Sequence, residues 1–236
     1  INQGMLSLHE IDRILATRKK VVWTMHDMWP FTGICHHAAG CNRYESGCGN
    51  CPYLIAPTQQ DLSRRRFLVK HNTYAQGSIT FVACSSWLRK LAEKSPLTRG
   101  HRLLSIPNPI DTTCYKPTNK KEARDRLGVP QGKKLLLFAA AKASDPRKGT
   151  GYLVEASHFL AAQYEDIHIL IAGSRGEEMQ QHLGLPSTCM GHLKPDDMPT
   201  LYNAADLYVI PSLQENLPNT IMEAMACGTP CHRLHD

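Results

Sequence analysis

Two blocks of short apolar runs, each alternating with helical patterns, constrain this 236-residue chain more than any other feature. In the first block the runs are 21–25, 79–84 and 103–106. Helical patterns precede, separate and follow them: Leu8, Ile11, Ile14 and Leu15 recur at helical spacing, and 61–72 and 85–94 read as helices. In the second block, runs at 134–141, 167–172 and 207–210 alternate with helices expected over 151–163, 177–183, 197–204 and 218–226. Strands separated by helices call for crossover connections, and these build parallel sheets covered by helices. The blocks meet at Pro107-Asn108-Pro109, where the prolines stop a strand and open a linker-like stretch. The expectation is an α/β chain with one domain over 1–107, a linker over 108–118 and a second domain over 119–236, the two facing a cleft. Open α/β sheets bind ligands beyond the carboxyl ends of their strands. His26, the 142–149 loop, Gly173 and the segment 211–219 are therefore the positions to watch.

Composition narrows the partners. The longest apolar run, 135–141, falls far short of the roughly 20 residues that span a bilayer. A net charge of +6 suits a polyanion such as a nucleotide diphosphate, or an anionic membrane surface, and is too scattered for nucleic acid. Arg64, Arg65 and Arg66 cannot share one helix face and read as a solvated helix. The chain opens on Ile1 with no basic, apolar leader, and it stops soon after a well-formed helix signal at Ala226, Cys227 and Gly228. It reads as truncated at both ends, cytoplasmic, with peripheral contact on the inner face of the cell membrane as a further expectation.

The densest chemistry lies in Pro211-Ser212-Leu213-Gln214-Glu215-Asn216-Leu217-Pro218-Asn219-Thr220-Ile221-Met222-Glu223. Pro218 suits a first helical position, because its missing N–H would have had no partner there. Amides of Asn216, Leu217, Asn219 and Thr220 then gather at a helix start, a ready site for phosphate. Glu215 stands in the turn before the helix and Glu223 about one turn inside it. A solvated helix start with dipole-favoured acids is the alternative. Against it, Glu223 sits among apolar neighbours, where a lone carboxylate is costly.

With Ala224-Met225-Ala226-Cys227-Gly228-Thr229-Pro230 continuing the match, this stretch resembles the E-x7-E signature of retaining glycosyltransferases of family 4, which have the GT-B fold of two Rossmann-like domains. The resemblance implies that Glu215 contacts the donor sugar, Glu223 holds the ribose hydroxyls and the intervening amides bind the diphosphate. It also implies a cation pair in the 142–149 loop. Lys148 matches the lysine of that pattern, while the usual arginine after the strand is absent; Lys142 lies near its place and Arg147 is a candidate substitute. Fixed cations there would stabilise the leaving diphosphate. His26, followed by Asp27, Met28, Trp29 and Pro30, falls where the family has a histidine near the transferred sugar, and Asp27 is expected to cap the loop or orient His26. The long cysteine loop after it is similar to that of a bacterial polysaccharide-type subgroup. Pro109 replaces a glycine of the family's inter-domain segment, and Cys231 to Asp236 no longer match. Both domains are expected to be incomplete, the missing parts being the early strands with the acceptor loop and the final strands and closing helix.

Cys35-x5-Cys41-x6-Cys48-x2-Cys51 places four thiols in one loop, with His36 and His37 as spare ligands. The Cys48–Cys51 spacing lets two sulfurs reach one ion, so a structural zinc is expected here, with two disulfides or free thiols as alternatives. No cofactor is expected in catalysis. The implied activity is transfer of a hexose-like sugar, with retention, from a nucleotide diphosphate sugar to a glycan or lipid-linked hydroxyl acceptor. A non-catalytic fragment or zinc-stabilised module, a sugar-nucleotide epimerase and a glycoside hydrolase are the other readings.

Overall fold

A computed structural model describes residues 6–213 and 215–233. Gln214 and both chain ends, which include part of the segments read above, lie outside the described residues. The chain divides into two compact units, residues 1–108 and 109–236. The second half of the expected linker is bound to the second unit: Thr118 N–H donates to Asn203 Oδ1 at 2.7 Å, and Asn203 Nδ2 donates to Lys116 O at 3.0 Å.

The first unit runs α1 (Leu8–Ala16), β1 (Val21–Met25), α2 (Leu62–Tyr74), β2 (Ile79–Ala83), α3 (Ser86–Glu93) and β3 (Arg102–Ser105). Ser7 caps α1 in a full capping box with Glu10. The three strands form a parallel sheet in the order β1-β2-β3. Its core gathers Leu15, Met25, Phe31, Tyr74, Phe81 and Leu88.

The second unit runs α4 (Lys120–Leu127), β4 (Lys134–Lys142), α5 (Thr150–Ala161), β5 (Ile167–Ser174), α6 (Gly176–Gln180), β6 (Ser187–Gly191), α7 (Met198–Ala204), β7 (Leu207–Ile210), α8 (Asn219–Ala226) and β8 (Cys231–Arg233). The strands make one parallel sheet ordered β6-β5-β4-β7-β8. Alternate residues divide between two cores. Leu135, Leu137 and Leu170 pack with Tyr202 and Ala224 on one face, and Phe138, Ile169 and Ile171 pack with Leu153 and Met179 on the other. Period-two alternation with apolar residues on both sides is what a strand buried under two helical layers requires. The sheet is therefore doubly wound, with β4 at its centre. The chain order reverses between β4 and β7, which is the topological switch point of such a fold.

Three elements were not expected from the sequence. Helix α4 is mostly charged, and what fixes it is the buried Arg124, which donates to Ala204 O at 3.0 Å and to Asp206 Oδ2 at 2.6 Å. Strand β6 is half-buried throughout, so it carries no apolar alternation. Strand β8 lies in the stretch that departs from the family pattern, yet it continues the sheet through Tyr208–Cys231, Val209–His232 and Ile210–Arg233.

Candidate functional site

The loops that follow β4 and β7 flank the switch point, and they are joined to each other. Gly149 has a φ of +71°, and a Cβ there would stand 1.7 Å from Pro211 O. Only glycine permits that backbone approach. Leu213 N–H donates to Arg147 O at 3.1 Å. The Lys148 ammonium forms an ion pair with Glu215 Oε1. Their side chains keep 35% and 23% of their exposure, so the pair is neither freely solvated nor sealed.

Glu223 is held separately. Tyr202 Oη donates to Glu223 Oε2 at 2.8 Å. Burial first, and then this bond to a carboxylate, raise the Tyr202 pKa, so the phenol stays protonated as donor. The carboxylate's partner thus explains how Glu223 is tolerated among apolar residues. Helix α8 starts at Asn219 with Pro218 immediately before it. The first-turn amides of Asn219 and Thr220 lack intrahelical acceptors by construction of any helix start. Glu215, Pro218, Ile221 and Ser212 line a small pocket. Arg233, on the unexpected β8, lines it too. Its position is set by the Ile210–Arg233 register, and nothing local in the sequence signals that pairing.

Of the candidate cations, the structure brings Lys148 onto Glu215 and turns Arg147 toward Asp145. Arg147 is 83% exposed and grips its own neighbour Asp145, Nη2 to Oδ2 at 2.7 Å. That bond holds the Asp145 carboxyl well down, at about 2. Lys142 is exposed at the end of β4. Asn216 and Leu217 are half-buried in the turn between Glu215 and Pro218.

In the first unit, His26 is exposed directly after β1. Asp27 accepts from Trp29 N–H at 2.8 Å and pairs with His36 Nδ1 at 2.8 Å. Its capping role is therefore visible, and its ring partner is His36. The cysteine loop that follows has little regular structure. Cys48, Gly49 and Asn50 carry φ values of 61°, 97° and 46°. For the two non-glycine residues this left-handed backbone costs roughly 1–2 kcal/mol each. Arg64, expected to be solvated, instead donates to Gly47 O at 2.9 Å. Asp61, at 5% exposure, caps α2 and accepts from Cys51 N–H at 2.7 Å. Lys70 is fully buried beneath the loop, donating to Trp29 O at 2.6 Å and Thr32 O at 2.9 Å, with Nζ 3.4 Å from the Trp29 ring centroid. Burial lowers its pKa to about 7. Cys35, Cys41, Cys48 and Cys51 are unpaired and line one cavity. As they stand, no three His, Cys, Asp or Glu side chains among the described residues are arranged to hold an ion.

Known proteins resemble this chain in sequence and in fold. Residues 133–231, most of the second unit, match the family model for Glycosyl transferases group 1. A D-inositol 3-phosphate glycosyltransferase of Arthrobacter sp. (strain FB24) is 30% identical over 135 residues, covering 52% of this chain and 32% of that protein. The enzyme of the same name from Nocardia farcinica (strain IFM 10152) is 24% identical over 227 residues, 89% of this chain and 48% of that protein. The chain thus spans about a third to a half of these curated relatives. Among solved structures, sucrose-phosphate synthase (tll1590) from Thermosynechococcus elongatus matches with a TM-score of 0.63 and 21% identity, over 90% of this chain and 49% of that one. Anabaena Alr3699/HepE in complex with UDP and glucose matches with a TM-score of 0.63 and 20% identity, over 95% and 56% respectively. The fold is α/β with parallel sheets, shared with GT-B glycosyltransferases, and the second unit carries the sequence pattern of a group 1 glycosyl transferase domain. No helix among the described residues is long and apolar enough to cross a membrane.

Proposed function

We propose that this chain forms the donor side of a retaining glycosyltransferase that moves a sugar from a nucleotide diphosphate sugar to a hydroxyl of a glycan or lipid-linked glycan. The observation that carries this reading is the Lys148–Glu215 ion pair at the switch point, with Glu223 held by Tyr202 inside the adjoining helix α8. Beyond the carboxyl ends of β4 and β7 is where such a sheet binds a nucleotide. The likeness to HepE, whose structure holds UDP and glucose, supports a nucleotide sugar as the ligand.

In this reading the ion pair is a resting arrangement. A diphosphate arriving at the start of α8 meets the amides of Asn219 and Thr220 and the positive end of the helix. Lys148 turns from Glu215 to the phosphates, and Glu215 is released to accept hydrogen bonds from sugar hydroxyls. Glu223 offers its carboxylate to the ribose hydroxyls while Tyr202 keeps it oriented. As the glycosidic bond breaks, negative charge gathers on the leaving diphosphate, and Lys148 stabilises it without reorganisation of solvent. The acceptor oxygen bonds to the anomeric carbon on the face from which the diphosphate departs, and the leaving phosphate takes its proton; attack on that same face gives retention. Glycoside hydrolysis is less well served, since it needs two carboxyl groups free to flank one bond, and here each acid already has its own partner.

The test is a thermal-shift panel of nucleotide diphosphate sugars, with Glu223→Ala alongside the unaltered chain and product stereochemistry read by NMR. The expected result is a shift by one nucleotide class that the variant loses. A variant that keeps the full shift overturns the ribose role of Glu223, and a chain that no nucleotide sugar shifts overturns the donor site.

A further inference from the structure

We infer that the cysteine loop of the first unit is a structural zinc site, with Cys35, Cys41, Cys48 and Cys51 as its four ligands and Lys70 as the buried counter-charge. This inference stands apart from the donor-site reading, because it rests on residues of the other unit.

Four observations converge. First, all four cysteines line one small pocket, walled by Ala38 and Tyr44, in a chain whose other five cysteines are dispersed. Second, Cys48, Gly49 and Asn50 form a run of left-handed residues that reverses the chain between Cys48 and Cys51. A Cβ on Gly49 would stand 2.7 Å from Gln59 O, so the turn is built at close quarters. Backbone held this far from its preferred region marks a functional constraint. Third, Gly33 N–H donates to Cys48 Sγ at 3.3 Å, so a backbone amide already holds that sulfur at the cavity. Fourth, Lys70 is fully buried with its ammonium on Trp29 O and Thr32 O, and Thr32 lines the same cavity. Among the described residues that ammonium donates to backbone carbonyls, with Asp27 near enough to act on its charge, and a buried cation gains from a further opposite charge beside it.

Zinc accounts for the set. Four thiolates are a closed, tetrahedral, structural ligand field. Binding one Zn²⁺ releases four thiol protons to solvent and leaves a site of net charge −2 beside Lys70, which supplies part of the balance. Four sulfurs complete a tetrahedral set without a histidine, and His36, whose Nδ1 is held by Asp27, stays a spare ligand through Nε2. The same contacts give the site a purpose. Met28 N–H donates to His36 O at 2.9 Å, and Thr32 Oγ1 donates to Cys35 O at 2.7 Å, so an ion clamping Cys35 also steadies the segment that follows His26.

The experiment is metal analysis of the reduced, purified chain by plasma mass spectrometry, with cobalt substitution and thiol counting. The expected result is one zinc per chain, a cobalt spectrum of tetrahedral thiolate type, and four thiols that react only after chelation. Cys48→Ser and Cys51→Ser should each lose the zinc, Cys114→Ser in the other unit should keep it, and Lys70→Met should weaken zinc about tenfold. If the serine variants do not fold, the cobalt spectrum of the unaltered chain decides alone. A folded chain that takes up no zinc, an intact mass lower by four hydrogens, or full zinc retention in Cys51→Ser overturns the site. Full affinity in Lys70→Met overturns the counter-charge.

Discussion

The two units place their chemistry by opposite means. In the second, sheet topology does the positioning: β4 and β7 are neighbours with the chain order reversing between them, and their loops meet because the strands meet. In the first, the cysteine loop has no such frame and depends on point attachments, namely Asp61 on Cys51 N–H, Arg64 on Gly47 O and Lys70 on two carbonyls. A site framed by topology tolerates the loss of one contact, whereas a loop held by individual bonds depends on each of them and gains most from a cross-link.

The contrast is sharpest at the two buried cations. Arg124 has a carboxylate partner, Asp206, as well as three carbonyls, whereas among the described residues Lys70 donates to two carbonyls and lies over the Trp29 ring. Arg124→Met should destabilise the second unit by about 3 kcal/mol in denaturant titration, because it leaves three carbonyl acceptors without their donor, while Asp206 keeps Lys120. A loss under about 1 kcal/mol would show that the sheet, and not this pin, holds α4. Lys148→Met should lower turnover about 10²–10³-fold with little change in melting temperature, the signature of a group needed for developing charge. An equal loss of stability would make the pair structural. Tyr202→Phe should cost about 1 kcal/mol of stability and weaken nucleotide binding by a similar amount, measured by calorimetry. The smallest effect should come from Arg147→Ala: it is turned toward Asp145 and solvent, so nucleotide affinity should change less than about threefold. A larger loss would return Arg147 to the phosphate site.

The alternation of strands and helices in both units was readable because buried parallel strands are continuous apolar runs, as in 167–172. The Glu215–Glu223 segment was readable because Pro218 marks the helix start and the spacing is local. What escaped depends on distant partners. Helix α4 exists because Arg124 reaches residues 80 and 82 positions away. Strand β6 is a half-buried edge, and β8 owes its place to β7 rather than to its own Cys-His-Arg sequence. The choice of Lys148 over Arg147 turns on side-chain direction within a short turn, which spacing does not encode.

The contact of Gly149 with the Pro211 carbonyl carries a last consequence. It makes the stretches 142–149 and 211–218 a single cassette rather than two interchangeable inserts. A chimera that imports one of them from a relative with a different backbone path would collide at that point, since 1.7 Å leaves no room even for a methyl group. Retargeting this protein to another sugar by grafting therefore means moving both stretches together.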